Sequence, residues 1–421
     1  MKATLASAML LGVLGIFTSA ACSGAEKPND VLPPDAGRTD DAGFVSDADA
    51  TATVGSDGSD GSDASSAPVY ASGARCDGRT GLCAPSATCT PTAVCNDAIV
   101  GVTPTKLSLP LTVPTCQTSN VDRPMYDDGP PRRWTDPVTG EERAACVYVP
   151  PTATMASKLP VVVYLHGAGG SASAVYDRTL LRDKAPTAYL SGDLSRRGFI
   201  LVANQGRNLV GENGNPAGAR HDMYYRDFAK HPDVRAIDQV LDDLVASGVA
   251  DPTRLHVTGW SNGAFFGQLY GLLRHEAPTK GGNRVASVVA FDGADPYQAP
   301  SEDALGCALA PYPRSSLPVM LIHRSCSIVP CDAAQKLALT GPPGFDVGAW
   351  ANTLASQVGA RDVENLIVGI DGKLATTCTP SGLCSKFTAT RQHILWPDGV
   401  TDGGTDFEPS ILRYMRTHPL P

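Results

Sequence analysis

Beyond residue 72 the chain carries almost no net charge. Of the formal −9, the stretch 23–72 holds ten Asp or Glu against Lys27 and Arg38, and the remainder after it is near −2. A folded part without a strong field does not steer nucleic acid or anionic membranes, so no nucleic-acid partner is expected. Long apolar runs are missing too. The one at the N-terminus, Leu5 to Phe17, is short for a bilayer span. There is no internal repeat, no P-loop Lys-Ser/Thr and no full Gly-x-Gly-x-x-Gly, which weighs against a phosphate or dinucleotide cradle.

Cysteine is not scarce: there are twelve, normal where disulfides persist and high for a cytosolic enzyme. Lys2, the short apolar stretch and "TSAAC" ending at Cys22 read as an export signal over residues 1–22. Cys22 at that place implies a lipoprotein, anchored to the membrane only through acylation of Cys22. The alternative is cleavage after Ala20 or Ala21 and free secretion. Both readings put the protein outside the cell. Residues 23–72, rich in Asp, Ala, Gly and Ser, have almost nothing to bury and are expected to form a disordered tether. The calcium-loop spacing and its closing Glu are missing from them. Residues 73–98 contain "CDGRTGLCAPSATCTPTAVC", a small Cys-rich segment. With no Cys-x-x-Cys and no nearby His, disulfides are expected there and a metal is not.

From residue 99 to 421 the pattern is globular. Strand-like runs fall at Ala145–Val149, Pro160–Leu165, Phe199–Ala203, Leu255–Thr258, Val285–Phe291 and Pro318–His323. Helical segments lie between them. In "PDVRAIDQVLDDLVASG", Val234, Ile237, Val240, Leu241 and Leu244 share one face, with Asp233 expected to cap the start and Gly248 the end. Apolar strands alternating with helices predict an α/β domain, a mostly parallel sheet with helices on both faces.

"LHVTGWSNGAFFGQLYGLL" puts Ser261 between a strand and a helix, in Gly259-Trp260-Ser261-Asn262-Gly263. Gly-x-Ser-x-Gly at a strand–turn–helix junction is a nucleophile elbow, in which the glycines avoid collisions in a tight turn and the serine is lifted to the carboxyl edge of the sheet. "VVVYLHGAGGSAS" ends another strand in His166-Gly167-Ala168-Gly169-Gly170. Such a loop supplies one backbone N–H of an oxyanion hole, and the residue after the nucleophile supplies the other. Ala168 and Asn262 are the expected donors. Trp260, Phe265 and Phe266 either line an apolar acyl site or, for the two phenylalanines, pack the helix on the sheet. A base should follow the serine. Of His275, His323, His393 and His418, the first is too near the nucleophile helix, the second ends a strand and the last sits in a tail. His393 in "ATRQHILWPDG" is read as a loop histidine in the place a triad needs.

Together "LHGAGG", "DVRAIDQVLDDLVASGVADPTRLHVTGWSNGA" and "HILWPDG" resemble the secreted poly(3-hydroxybutyrate) depolymerases and feruloyl or acetyl-xylan esterases of the α/β-hydrolase fold, over residues 145 to 418. The resemblance implies a serine carboxylic ester hydrolase without cofactor or metal, acting through an acyl-enzyme on a polyester or plant-wall ester. Ser261 would be the nucleophile, His393 the base, and Ala168 and Asn262 the oxyanion donors. The pattern breaks at one point. After the strand "PVMLIH" the family writes His-Gly-x-x-Asp, and this chain writes "HRSCSIVPCD", with Cys326 and Ser327 in the slot of the acid. A surface-displayed, non-catalytic binding protein on the same fold is the alternative that this gap motivates. If there is a triad acid, Asp292, closing the strand "VASVVAF", is the first choice. Asp332 is expected to cap a helix and Asp295 to shape a turn. Cys378 is expected to pair with Cys384 across six residues, and Cys307 with Cys326 or Cys331.

Overall fold

The computed structural model describes residues 108–210, 216–223, 231–275, 284–297, 312–339, 346–400 and 403–421. The expected signal, acidic tether, Cys-rich segment, domain boundary at residue 99 and Cys307 lie outside them.

The main sheet has nine strands. In chain order they are β1 (Arg132–Thr135), β2 (Glu142–Tyr148), β3 (Leu159–Leu165), β4 (Ile200–Asn204), β5 (Ala250–Trp260), β6 (Ser287–Phe291), β7 (Val319–Arg324), β8 (Glu364–Val368) and β9 (Leu374–Ala375). Across the sheet they run β1-β2-β4-β3-β5-β6-β7-β8-β9. The six from β4 to β8 in this order are parallel, and β1, β2 and β9 pair antiparallel at the two sides. This is the α/β-hydrolase arrangement, with β5, the strand that leads into Ser261, in the middle.

A strand covered on both faces must be apolar throughout, since neither side meets water. All seven residues of β3, "LPVVVYL", are buried. Its side chains alternate between two cores: Val161, Val163 and Leu165 pack into one, Val162 and Tyr164 into the other. The helix Pro232–Ala246 adds Val234, Ile237, Val240, Leu241 and Leu244 to the first core, as their spacing predicts. Its cap differs from expectation. His231, not Asp233, is the N-cap, its ring Nδ1 accepting from the N–H groups of Asp233 and Val234. Asp233 instead forms a buried ion pair with Arg143, with Arg207 at 3.6 Å. Burial opposes its ionisation, but the two guanidiniums outweigh it and hold the carboxyl well below its usual range.

The disulfides also differ. The described bonds are Cys116–Cys146, Cys326–Cys384 and Cys331–Cys378. Cys378 and Cys384 therefore do not pair with each other, and Cys326 and Cys331 are not partners of Cys307. Both sulfurs of the "TCTPSGLC" stretch reach across to the loop after β7, which the fold brings against it. Disulfides of this kind persist in oxidising surroundings. Among the described residues no helix is long and apolar enough to cross a membrane.

Candidate active site

The ends of β3, β5, β6 and β7 meet at the carboxyl edge of the sheet, together with the start of the helix Asn262–His275 and the end of the helix Lys386–His393. β5 closes on Trp260, Ser261 follows, and the helix Asn262–His275 begins at once. So abrupt a reversal forces Ser261 to φ 55°, a left-handed conformation uncommon for a residue with a side chain. The flanking glycines are required by contact. A Cβ on Gly259 would lie 2.5 Å from the Gly263 carbonyl oxygen, and one on Gly263 would lie 2.1 Å from that of Leu165.

His393 Nε2 lies 2.8 Å from Ser261 Oγ. It is the last residue of the helix Lys386–His393, a correction to the loop placement expected from the sequence. The carbonyls beyond a helix end need outside donors. Trp260 Nε1 donates to His393 O at 2.7 Å, and the Arg324 guanidinium donates to Leu395 O at 2.7 Å. Trp260 is 7% exposed, so its main visible role is this brace. Its ring also borders the loop after β3, where a Cβ on Gly167 would meet it at 3.1 Å. Phe266 is buried in the core and Phe265 packs beside it, the packing alternative named above.

Asp292 stands immediately after β6, fully buried, at φ 49°. Its Oδ2 is 3.3 Å from His393 Nδ1, and its Oδ1 accepts from the Arg324 N–H at 2.9 Å. The other aspartates point elsewhere. Asp332 caps the helix Ala333–Ala338 through the Gln335 N–H. Asp295 accepts from the Tyr297 N–H and the Tyr312 hydroxyl. The remaining histidines downstream of the serine are also engaged away from it. His275 bonds Val285 O and His418 bonds Tyr414 O, while His323 is buried within β7.

Ala168 lies on the loop after β3, where Gly169 N–H is bound to Ala219 O and Gly170 N–H to Gly167 O. Asn262 opens the helix Asn262–His275, and its side chain clasps the backbone of His221, Oδ1 accepting from the N–H at 2.8 Å and Nδ2 donating to the carbonyl at 3.0 Å. His166 anchors the same loop from below. Its Nε2 accepts from Gly206 N–H, which leaves the ring proton on Nδ1 to be donated to Gly167 O. Burial lowers its pKa to about 4, so the ring stays neutral in this role.

Sequence reasoning passed over one residue at the centre of the site. Ser327 Oγ is 3.1 Å from both Asp292 Oδ2 and His393 Nδ1. Its signal was there, a hydroxyl in the slot where the resembled family places an acid, but only the fold shows what it touches.

No protein-family model matches the chain, and no curated protein matches it. Solved structures do. A thermostable esterase is 15% identical over 72% of this chain and 70% of its own, with a TM-score of 0.40. An S-formylglutathione hydrolase from Agrobacterium tumefaciens is 16% identical, covering 69% of this chain and 94% of its own, with a TM-score of 0.39. An acetyl xylan esterase from Aspergillus awamori is 17% identical over 47% of this chain and 73% of its own, with a TM-score of 0.31. The fold rests on the chain's own strand order and elbow, not on these likenesses.

Proposed function

We propose that the protein is an exported serine carboxylic ester hydrolase that works through an acyl-enzyme. The observation that carries this reading is the continuous chain from Ser261 Oγ through the His393 ring to Asp292 Oδ2, with contacts of 2.8 and 3.3 Å. A serine hydroxyl is a weak nucleophile until a base within hydrogen-bond reach can take its proton. In this mechanism His393 Nε2 takes the proton as Ser261 attacks the ester carbonyl. Backbone N–H groups of Ala168 and Asn262 receive the developing oxyanion. His393 then returns the proton to the departing alcohol. Water, deprotonated by the same nitrogen, releases the acid and restores Ser261. Asp292 orients the ring and stabilises the imidazolium without taking its proton.

The substrate reading is an ester too large to import, a polyester or an esterified plant-wall polymer. It is supported by the signal-like N-terminus and the long acidic stretch of the sequence, and the three disulfides among the described residues are compatible with an exterior site. A missing acid favours a non-catalytic binder, whereas the Asp292 carboxylate 3.3 Å from His393 Nδ1 supports the enzyme reading. A fluorophosphonate probe tests the reading. Stoichiometric labelling of Ser261 in the folded protein is expected, and none would favour the binder. Release of acid from poly(3-hydroxybutyrate), feruloylated sugar and acetylated xylan then separates the substrate classes.

A further inference from the structure

We infer that Ser327 is a positioning residue of the proposed triad, holding His393 in the tautomer that can take the Ser261 proton. The inference rests on the ester-hydrolase reading. Ser327 is fully buried on the loop after β7. A hydroxyl has one proton to give and two lone pairs to receive with. The Asp292 carboxylate can only accept, so the hydroxyl proton goes to Oδ2, 3.1 Å away. One lone pair receives the Val329 N–H at 3.2 Å. The other faces His393 Nδ1 at 3.1 Å.

The reverse assignment fails on its own terms. If the hydroxyl proton turned to Nδ1, that nitrogen would need to be unprotonated. It would then face Asp292 Oδ2 at 3.3 Å lone pair to lone pair, as would Ser327 Oγ at 3.1 Å. The arrangement without such clashes puts the ring proton on Nδ1, shared between Ser327 Oγ and Asp292 Oδ2. The Nε2 lone pair is then free to point at Ser261 Oγ.

Two neighbouring strand ends therefore converge on one ring nitrogen, a carboxylate from after β6 and a hydroxyl from after β7. The separation is also fixed covalently. The Cys326–Cys384 bond ties the residue before Ser327 to the segment that enters the His393 helix at its cap, Ser385. Position 327 is thus a second place from which an acid could serve the same ring, left to a hydroxyl because Asp292 supplies the charge.

The test is steady-state hydrolysis of a short-chain nitrophenyl ester by the full chain and by Ser327→Ala, Asp292→Asn and Asp292→Asn/Ser327→Asp, each checked for folding by circular dichroism and thermal unfolding. Ser327→Ala should lose roughly 10- to 100-fold in kcat with KM changed less than about twofold, since substrate contacts remain. The double variant should recover at least about tenfold over Asp292→Asn, because a carboxylate at 327 reaches the same nitrogen. A purely structural role for the serine would not produce that rescue. Ser327→Ala turning over at the unaltered rate, or a folded double variant no faster than Asp292→Asn, would overturn the inference. Should Ser327→Ala not fold, the double variant decides. If the unaltered chain neither hydrolyses the ester nor is labelled at Ser261, the enzyme reading falls and takes this inference with it. An active chain insensitive at Ser327 overturns this inference alone.

Discussion

The indole nitrogen of Trp260 donates to the main-chain carbonyl of His393 at 2.7 Å, across 133 positions of sequence. The residue before the candidate nucleophile thus holds the backbone of the candidate base. Trp260→Phe keeps most of the ring's packing and removes only the donor, leaving a buried carbonyl short of a partner. A stability loss of about 1 to 2 kcal/mol is expected from that unmet group. Turnover should fall by roughly tenfold, since a small displacement of the ring from Ser261 weakens proton transfer. Thermal unfolding and nitrophenyl ester kinetics measure the two effects, and unchanged values in both would remove the brace from the account.

Ser261→Ala should abolish hydrolysis while the protein stays folded, by roughly 10³-fold or more. His393→Ala should lose a similar amount. The double variant should be no worse than either single one, because both residues serve one step. Retention of a tenth of the unaltered rate by Ser261→Ala would refute the nucleophile assignment.

The two aspartates make opposite predictions. Asp292→Asn should cut turnover by roughly 10²- to 10⁴-fold, as the ring loses the charge that orients it. Asp332→Asn should leave turnover near the unaltered value, because the Asp332 carboxylate caps the helix Ala333–Ala338. Its stability should change by only about a few tenths of a kcal/mol, since Asn is nearly as good a cap. The reverse pattern in kcat would place the acid on the loop after β7.

Stability should fall on acidification. Burial holds His166 and His231 near pKa 4 in the fold, against 6.5 for an exposed ring. The unfolded chain therefore binds protons that the fold refuses. The stabilisation is complete above pH 6.5 and is lost as pH falls through about 4. Buried Glu408 works the other way. Burial raises its pKa to about 7 despite Lys184, so its contribution is full below about 4.5 and lost as pH rises through 7. His256, lowered by burial to about 3, and His221, lowered well below its ordinary value, add to the histidine side. Unfolding temperatures measured from pH 7.5 to 4 should drop steadily, and a flat profile would contradict the neutral buried rings.

Patterns carried by adjacent residues were legible without the fold. The apolar run of β3 requires burial on both faces, and the face of Val234, Ile237 and Leu241 requires a core-packed helix. Gly259 and Gly263 around Ser261 announce a turn that admits no side chains, because the contacts they avoid lie within a few residues or on the neighbouring strand. Elimination singles out His393 as the candidate base and a strand end singles out Asp292 as the candidate acid, and the fold sets both in one chain of contacts with Ser261.

What the chain could not disclose depends on which segments the sheet brings together. Cys378 and Cys384 are near in sequence, yet their partners are Cys331 and Cys326, because the loop after β7 lies across both. Asp233 has the residue type of a cap, but Arg143 stands close enough to claim its charge, and His231 caps instead. Ser327 reads as a failed acid until β6 and β7 pair in parallel and set its hydroxyl 3.1 Å from Asp292 and His393 alike. A side chain's type limits what it can do, whereas hydrogen bonds and charge pairing act over a few ångströms, and only the folded chain decides which groups come that near.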